Sequence, residues 1–375
     1  MNIPAADEQQ VSTQATIKTF PCKSCGAMLS FAPGTKTLKC EYCGAANDIP
    51  KSGDEITELD FEVYLKVISD KQEHYEQVHM KCSNCGAEQT LPPNVFAGNC
   101  SFCATPIVAK GYANRLIKPK SLIPFRIAKE KAQEEFRKWI RGLWLAPSEL
   151  KQYAQGDGAI NGMYVPYWTY DCRTFSAYTG QRGINQSDSY TSRNSAGETV
   201  TQTRTRVDWT AVSGSVENTF DDVLVPASPT LSMTTNPLFR DRFSAWNTKA
   251  LVPYGEEFIT GFQAEAYQVS LSEGYKTARQ VIDSRIEQGI RQDIGGDQQR
   301  VDSVSTQYND ITFKHVLVPV WLSAYRYRDK VYRFMVNGQN GEVQGESPKS
   351  GWKIFFLVLG ILALLLIVLM LGGKK

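Results

Sequence analysis

The sequence predicts a multidomain protein with two tandem zinc ribbons, which are small and rich in β-structure, an α+β domain that is mainly antiparallel β, and one C-terminal transmembrane helix. Three features predict it: two matching arrays of paired cysteines, a long middle part in which alternating runs flank two amphipathic stripes, and an uninterrupted apolar run near the end. A chain of 375 residues exceeds what one hydrophobic core usually holds, so several folded units are expected.

The order of the predicted units follows from these features and from the composition between them. We predict a disordered lead-in over 1–20, zinc ribbon 1 over 21–50, a helical linker over 51–80, zinc ribbon 2 over 81–110, an α+β domain over 111–346, a hinge over 347–351 and a transmembrane helix over 352–373.

The lead-in has no cationic start followed by an apolar run, so no signal peptide is predicted. Its polar, Gln- and Thr-rich composition is typical of a disordered segment. The net charge of the whole chain is only +2, which gives no global electrostatic attraction to nucleic acid or anionic lipid.

The cysteine arrays predict two metal sites. Each array has two C-x-x-C pairs with 14 residues between them. The second array has the same spacing as the first and lies 60 residues later in the chain. Two cysteines spaced in this way lie on a tight knuckle and direct both sulfurs at one ion, and two knuckles complete a tetrahedral, closed structural zinc site. The candidate ligands of two structural Zn²⁺ ions are Cys22, Cys25, Cys40, Cys43, Cys82, Cys85, Cys100 and Cys103.

Glycine follows three of the four knuckles and supplies the unusual backbone angles that such a turn needs. Gly26, Gly44 and Gly86 hold this place, and Ala104 holds it in the last knuckle. A segment of about 30 residues buries too little apolar surface to fold alone, so metal binding is expected to supply the folding free energy of each ribbon.

Disulfides, an iron–sulfur cluster and a redox C-x-x-C pair are the alternatives to zinc. Disulfides need an oxidising compartment, a cluster can use four cysteines, and a thioredoxin-type motif needs a βαβ context. The glycine-bearing knuckles favour zinc. The ninth cysteine, Cys172, lies in an aromatic-rich run and is interpreted as a small buried hydrophobe.

The linker and the α+β domain contain three predicted helices. Phe61, Leu65 and Ile68 have helical spacing in the linker. Two longer stripes in the α+β domain predict core-facing helices, and the second has a capping-box candidate in Ser270 and Glu273. The first stripe contains Ala128, Ala132, Phe136 and Ile140; the second contains Tyr275, Ala278, Ile282, Ile286 and Ile290.

Alternating runs predict the strands of the domain. Residues 175–212 are predicted as a long hairpin with an exposed connection at 185–197, and 332–343 as a second hairpin. Tyr-Val-Pro-Tyr-Trp at 164–168 and Leu-Val-Pro-Val-Trp at 317–321 suggest two related half-units. Because proline cannot donate to a β-ladder, their prolines are expected at strand starts or edges.

The apolar run near the C-terminus predicts a membrane anchor. Residues 354–371 are all apolar and would rise about 27 Å as a helix. Zinc-binding thiolates belong in a reducing compartment, so the N-terminal units are expected in the cytosol. The sequence thus predicts a tail-anchored, single-pass protein of the inner (plasma) membrane.

Motifs of common enzymes are not found in the sequence. It has no phosphate-binding loop, no dinucleotide-binding fingerprint, no nucleophile elbow and no H-E-x-x-H pair. No catalytic residue, cofactor-binding residue or small-molecule substrate is therefore predicted, and the protein is expected not to be an enzyme.

Four short segments resemble a bacterial family of TFIIB-type zinc-ribbon membrane proteins, whose members are often labelled as primosomal or replication helicase-like. These segments are 164–168, Asp-Ile-Gly-Gly-Asp at 293–297, 312–321 and Arg-Phe-Met-Val-Asn-Gly at 333–338. Some members are associated with PspA-like or SPFH-domain proteins, so the resemblance implies envelope-stress partners at the membrane. It implies no catalytic residues, and this chain lacks the nucleotide-binding loop that a helicase needs.

Two functional expectations follow. The first is a non-enzymatic, membrane-anchored zinc-ribbon adaptor that holds cytosolic protein partners, and the alternative is a zinc-ribbon nucleic-acid-binding protein tethered to the membrane. The ribbons argue against the alternative, since 21–50 and 81–110 each carry a net charge of only +1. An unrecognised enzyme in 121–346 would require a formed pocket with convergent polar groups.

Overall fold

The fold is mostly antiparallel β-sheet with few helices. The computed structural model describes residues 20–27, 29–50, 55–67, 74–81, 87–90, 97–99, 102, 106–108, 112–117, 119–148, 160–193, 197, 199–228, 246–265, 267–327 and 330–372. Within these residues the largest sheet has nine strands, and three smaller sheets accompany it.

The strands and helices are numbered in chain order. The strands are β1 (Leu29–Phe31), β2 (Thr37–Cys40), β3 (Ala46–Asp48), β4 (Leu59–Asp60), β5 (His74–Lys81), β6 (Glu88–Thr90), β7 (Ala97–Asn99), β8 (Pro106–Val108), β9 (Tyr112–Ile117), β10 (Ser121–Leu122), β11 (Asn161–Arg193), β12 (Thr199–Pro226), β13 (Val252–Pro253), β14 (Gln263–Ala264), β15 (Gln298–Tyr327), β16 (Lys330–Asn337) and β17 (Val343–Gly345). The helices are α1 (Phe61–Val67), α2 (Lys129–Gly142), α3 (Glu256–Ile259), α4 (Leu271–Ile294) and α5 (Gly351–Gly372), with a 3₁₀ turn at Thr248–Ala250.

Strands β11 and β15 form the centre of the largest sheet. They pair antiparallel from Asn161 opposite Leu322 to Gly183 opposite Gln298. Strand β12 pairs along the other side of β11. Beyond the core the three strands continue as a ribbon, here called the arm, which comprises 173–193, 199–219 and 298–309.

The prediction of two related half-units is confirmed by a local two-fold arrangement around Val165 and Val318, which lie opposite each other. Before Pro166, β11 pairs with β14 in parallel, and after Pro166 it pairs with β12 antiparallel. Before Pro319, β15 pairs with β10 in parallel, and after Pro319 it pairs with β16 antiparallel. Each proline therefore lies inside a central strand, where the neighbour changes. The expectation that prolines lie at strand starts or edges is wrong for these two residues. A proline is tolerated inside each strand because its missing N–H falls in the gap between two neighbouring strands.

The same two-fold relation extends to the helices. The indole N–H of Trp168 donates to the carbonyl of Val269 at 3.0 Å, just before α4, and the indole N–H of Trp321 donates to the carbonyl of Ile127 at 2.9 Å, just before α2. The two halves exchange segments: β10, which precedes α2, pairs with β15, whereas β14, which precedes α4, pairs with β11. Each half thus completes the sheet of the other.

The predicted helices of the domain are present. Helix α2 buries Ala132 and Ile140. Helix α4 buries the predicted isoleucine stripe and begins with the predicted capping box of Ser270 and Glu273. Helix α1 begins at Phe61, within the linker segment where a helix was predicted. Amphipathic spacing was sufficient here because each helix covers one face of a sheet.

The long hairpin is confirmed, but its connection is shorter than predicted. Strand β11 runs to Arg193 and β12 begins at Thr199, so most of the predicted loop is paired strand. Threonine favours strands, and the Ser- and Asn-rich composition did not outweigh the partner strand. The second hairpin, β16 with β17, is confirmed.

The C-terminal helix α5 does not support the predicted transmembrane helix over 352–373. No helix in the described part of the chain combines the length and apolar character of a membrane span. On this finding the predicted span, the tail anchor and the inner-membrane localisation are wrong, and the fold class is corrected to a mostly antiparallel β protein with few helices.

Helix α5 is joined to the body of the protein at its first turn. The backbone N–H of Ser350 donates to the carbonyl of Leu145 at 2.8 Å, and the ammonium of Lys353 donates to the carbonyl of Ala146 at 2.6 Å. Most of its described apolar side chains are exposed, with Trp352 at 74% and Phe356 at 62%.

Candidate metal centre

The first cysteine array forms two knuckles with the same backbone geometry. The N–H of Gly26 donates to the carbonyl of Cys22, and the N–H of Gly44 donates to that of Cys40, both at 2.9 Å. The two glycines have φ angles of 77° and 75°. A Cβ atom at either position would meet nothing within 4 Å, so the backbone angle and not the space requires glycine.

The knuckles bring the four sulfurs of Cys22, Cys25, Cys40 and Cys43 within 4.8 Å of one another. The Cys22–Cys43 and Cys25–Cys40 sulfur pairs are each 3.6 Å apart. Four sulfurs at about 2.3 Å from a central zinc ion are roughly 3.8 Å apart, whereas a disulfide needs about 2.05 Å. This cluster could therefore hold a metal ion, and its spacing does not fit disulfides.

Backbone N–H groups point at the sulfurs and favour thiolates. Ser24 donates to the sulfur of Cys22 at 3.4 Å, and Cys43 donates to that of Cys40 at 3.5 Å. Such bonds lower the pKa of Cys22 to about 6 and lower the pKa of Cys40. At Cys25 the N–H of Ala27 also lowers the pKa, but hydrogen bonds with the other sulfurs, together with burial, outweigh it and raise the pKa to about 12. Because metals bind thiolates, binding of a cation here would release protons.

Asn47 supports the cluster from the side, and no sequence pattern predicted this role. Its amide nitrogen is 4.0 Å from the sulfur of Cys22, and its amide oxygen accepts the N–H of Lys23 at 3.4 Å. Only 9% of Asn47 is exposed. A second polar contact of this kind orients a ligand and tunes its basicity.

Ribbon 1 packs directly against the domain, at α3 and at the segment between β10 and α2. The N–H of Phe31 donates to the carbonyl of Thr260 at 3.0 Å, and the N–H of Gly34 donates to that of Phe125 at 2.9 Å. The rings of Phe31 and Phe258 meet edge to face, 5.3 Å apart. A metal ion held by this cluster would therefore stabilise an interface with the domain as well as the ribbon.

The second array lies outside the described residues at all four cysteines: Cys82, Cys85, Cys100 and Cys103. The side chains of two residues beside it are described. Ala87 and Phe102 are buried in one hydrophobic cluster with Val318 and Val320 of β15. These neighbours of the second array thus pack on the large sheet.

Two further side chains that could take part in chemistry, Cys172 and His315, have packing roles. Cys172 is 3% exposed within the hydrophobic cluster that includes α4, and burial raises its pKa to about 11, as expected for a buried hydrophobe. His315 is 1% exposed, and burial lowers its pKa to about 3. Its ring lies among those of Tyr64, Trp168 and Tyr267.

Sequence reasoning missed a charged cluster at the base of the arm. The ammonium of Lys314 lies 3.0 Å from Glu58, 3.4 Å from Asp171 and 2.9 Å from Asp222. Burial lowers the pKa of Lys314, but the surrounding carboxylates outweigh it and raise the pKa above its usual value. Burial raises the pKa of Asp171, and the hydrogen bond from Lys314 lowers that of Glu58. No sequence motif links these residues, because they are far apart in the chain.

Comparison with known proteins gives one distant similarity. No family model matches this chain, and no solved structure matches it. A protein of Bacillus subtilis (strain 168) named "Uncharacterized protein YdjG" is 25% identical over 368 residues, covering 95% of this chain and 99% of that protein. The similarity therefore spans nearly the whole chain, and the name of that protein states no function.

Proposed function

We propose that this chain is a non-enzymatic adaptor that binds other proteins and whose ribbons are held by two structural Zn²⁺ ions. The four-sulfur cluster of ribbon 1 supports the structural role, because a tetrahedral ion there would have no open position for chemistry. The matching spacing of the second array is the basis for the second ion. Thiolate donors favour zinc over the hard cations.

The outer half of the arm is the surface that we expect to contact a partner protein. From Ile184 opposite Asp208 to Arg193 opposite Thr199, β11 and β12 continue past the end of their pairing with β15. Within this part, the described side chains are almost all exposed on both faces. A two-stranded hairpin in water is marginally stable alone. An extended, solvent-exposed hairpin of this kind is suited to contact a second protein.

Two exposed tyrosines allow a matched test. Tyr190 is 47% exposed on the arm, and Tyr42 is 85% exposed on ribbon 1. Exposed aromatic side chains often dominate protein interfaces. The resemblance to the zinc-ribbon family makes PspA-like and SPFH-domain proteins the first partners to test.

The experiment compares the full-length protein with three variants in a binding assay with each purified candidate. In one variant an Asn-Gly turn replaces 185–207; the others are Tyr190→Ser and Tyr42→Ser. We expect arm shortening and Tyr190→Ser to weaken binding at least tenfold and Tyr42→Ser to leave it unchanged. Unchanged binding after arm shortening contradicts the arm as the interface, and failure of all candidates to bind contradicts these partners.

Nucleic-acid binding is distinguished by its salt dependence. A protein that neutralises phosphates loses affinity steeply as salt is raised. If full-length protein binds DNA or RNA at low salt and loses it with salt, the adaptor proposal gives way to the alternative.

A further inference from the structure

The base of the arm is shaped by β-bulges on both sides of β11. Two residues of β12, Asp221 and Asp222, lie opposite Asp171, and Asp222 has a φ angle of 52°. On the other side, Asp310 of β15 has a φ angle of 51° beside a second register shift. Bulges redirect side chains and occur often at functional sites. Here they gather carboxylates from three segments of the chain.

Three of these carboxylates form a candidate ligand set. One oxygen each of Glu58, Asp171 and Asp221 lie within 4.8 Å of one another. The hydroxyl of Thr312 joins them, since it donates to Glu58 at 2.9 Å and lies 3.4 Å from Asp171. Carboxylate and hydroxyl oxygens are ligands of hard cations such as Ca²⁺.

The charge of the cluster is not balanced by its own residues. Four carboxylates carry −4 and the ammonium of Lys314 supplies +1, so the five groups retain a net formal charge of −3. The side chains of Asp171 and Lys314 are only 12% and 9% exposed. Like charges held close together in a partly buried site repel strongly, and a divalent cation would reduce that repulsion.

A buried hydroxyl gives independent support. Thr169 lies directly opposite Lys314 in the β11–β15 ladder and two residues before Asp171, so all three side chains are on one face of the sheet. Thr169 is fully buried, and its hydroxyl has no hydrogen-bond partner among the described residues. An unsatisfied buried hydroxyl is costly. A hydrated cation bound beside it would supply the missing partner through a coordinated water.

The cluster is open to solvent on one side. Glu58 and Asp221 are exposed, whereas Asp171 is buried. An ion could enter between the two exposed carboxylates without disturbing the hydrophobic core.

We propose that Glu58, Asp171 and Asp221 bind a hard divalent cation of the Ca²⁺ class, with the hydroxyls of Thr169 and Thr312 beside it. Glu58 immediately precedes β4, which pairs with β15. The ion thus fastens the segment that follows ribbon 1 to the base of the arm. This site is chemically distinct from the sulfur cluster, which selects soft or borderline metals.

The test uses full-length protein from which loosely bound Ca²⁺ has been removed, with retention of zinc checked by elemental analysis. CaCl₂ is titrated in a calorimeter, and thermal unfolding is followed with and without CaCl₂, MgCl₂ or MnCl₂. We expect saturable binding of Ca²⁺ at about one ion per chain and a rise in Tm on binding. No heat and no shift in Tm with millimolar amounts of any of the three cations would overturn the proposal.

Two matched variants assign the site. Asp221→Asn removes a charged ligand at an exposed position outside the Lys314 ion pairs, whereas Asp310→Asn makes the same change at the other bulge, where Asp310 pairs with Arg173. Asparagine tolerates left-handed backbone angles, so the control should fold. We expect at least tenfold weaker Ca²⁺ binding for Asp221→Asn and no change for Asp310→Asn. Equal affinities for all three proteins, or equal losses in both variants, would contradict the assignment.

In a third variant, Ca²⁺ should stabilise the protein more than it stabilises the wild type. Lys314→Gln leaves the four carboxylates without their ammonium, so Ca²⁺ should raise its Tm more than that of the wild type. A smaller rise in this variant would show that the cation does not occupy the carboxylate cluster.

Discussion

Gly274 in α4 provides a sharp test of how the helix packs on the sheet. A Cβ atom there would lie 2.5 Å from the hydroxyl oxygen of Tyr170 and 2.7 Å from a ring carbon of Trp168. Both side chains hold the start of α4. The Tyr170 hydroxyl donates to the carbonyl of Leu271 at 2.6 Å, and the Trp168 indole donates to that of Val269 at 3.0 Å. Gly274→Ala therefore forces apart two buried rings and their hydrogen bonds.

The magnitude follows from three contributions. Overpacking a core costs about 1–3 kcal/mol, and loss of one buried hydrogen bond costs about 1 kcal/mol. The higher helix propensity of alanine returns about 1 kcal/mol. The net expectation is a free energy of unfolding lower by about 2 kcal/mol. In the same helix, Gly289→Ala is the control, because a Cβ there meets nothing within 4 Å and only the propensity gain of about 1 kcal/mol remains.

The assay is urea and thermal unfolding of both variants, followed by tryptophan fluorescence. The two alanines should shift Tm in opposite directions, by about 2–4 °C per kcal/mol for a domain of this size. If Gly274→Ala is as stable as wild type, or gains stability as Gly289→Ala does, the packing of α4 against Trp168 and Tyr170 is refuted.

Three further predictions concern the metal, a buried histidine and the apolar helix. Cys40→Ser should lower bound zinc from two ions to one per chain by elemental analysis, while Cys172→Ala retains both; unchanged zinc in Cys40→Ser would contradict the sulfur cluster as a zinc site. Because the pKa of His315 is about 3 when folded and about 6.5 when unfolded, only the unfolded state gains its proton as pH falls through this window. From about pH 7 to about pH 5 the free energy of unfolding should drop by about 2 kcal/mol through this group. In urea titrations, His315→Phe should lose that part of the pH dependence. If the free energy of unfolding changes equally with pH in both proteins, the buried neutral imidazole is contradicted. Removal of 351–375 should reduce self-association in size-exclusion chromatography, because exposed apolar patches promote association; a full-length protein that elutes as a monomer in plain buffer would be the contrary result.

Features encoded by short-range patterns were predictable from the sequence. The knuckles of Cys22 and Cys40 depend on the C-x-x-C spacing and on the glycine that follows each pair, and both are visible in the sequence. The structure gives these glycines the positive φ angles that such knuckles need. The α4 stripe and its capping box depend on a period of 3.6 residues. Hydropathy also predicted a helix at the C-terminus, and α5 is present, but no helix in the described part of the chain qualifies as a membrane span.

Features that depend on strand register were not predictable. Glu58, Asp171, Asp221 and Lys314 come from distant segments, and two β-bulges place their charges together. The exchange of β10 and β14 between the halves follows only from the pairing of the central strands. A repeated Pro-x-Trp motif suggested two halves but contained no information about which strand each would pair with.

The exchanged strands have a consequence for how the chain is made. The hydroxyl of Ser121 donates to the carbonyl of His315, 194 residues later. At about 5–20 residues per second, the ribosome takes roughly 10–40 s to synthesise that partner. During this interval β10 has no β15 to pair with, so this part of the nascent N-terminal half stays incomplete even though β11 and β12 can already pair. For the same reason, neither half expressed alone is a complete folding unit.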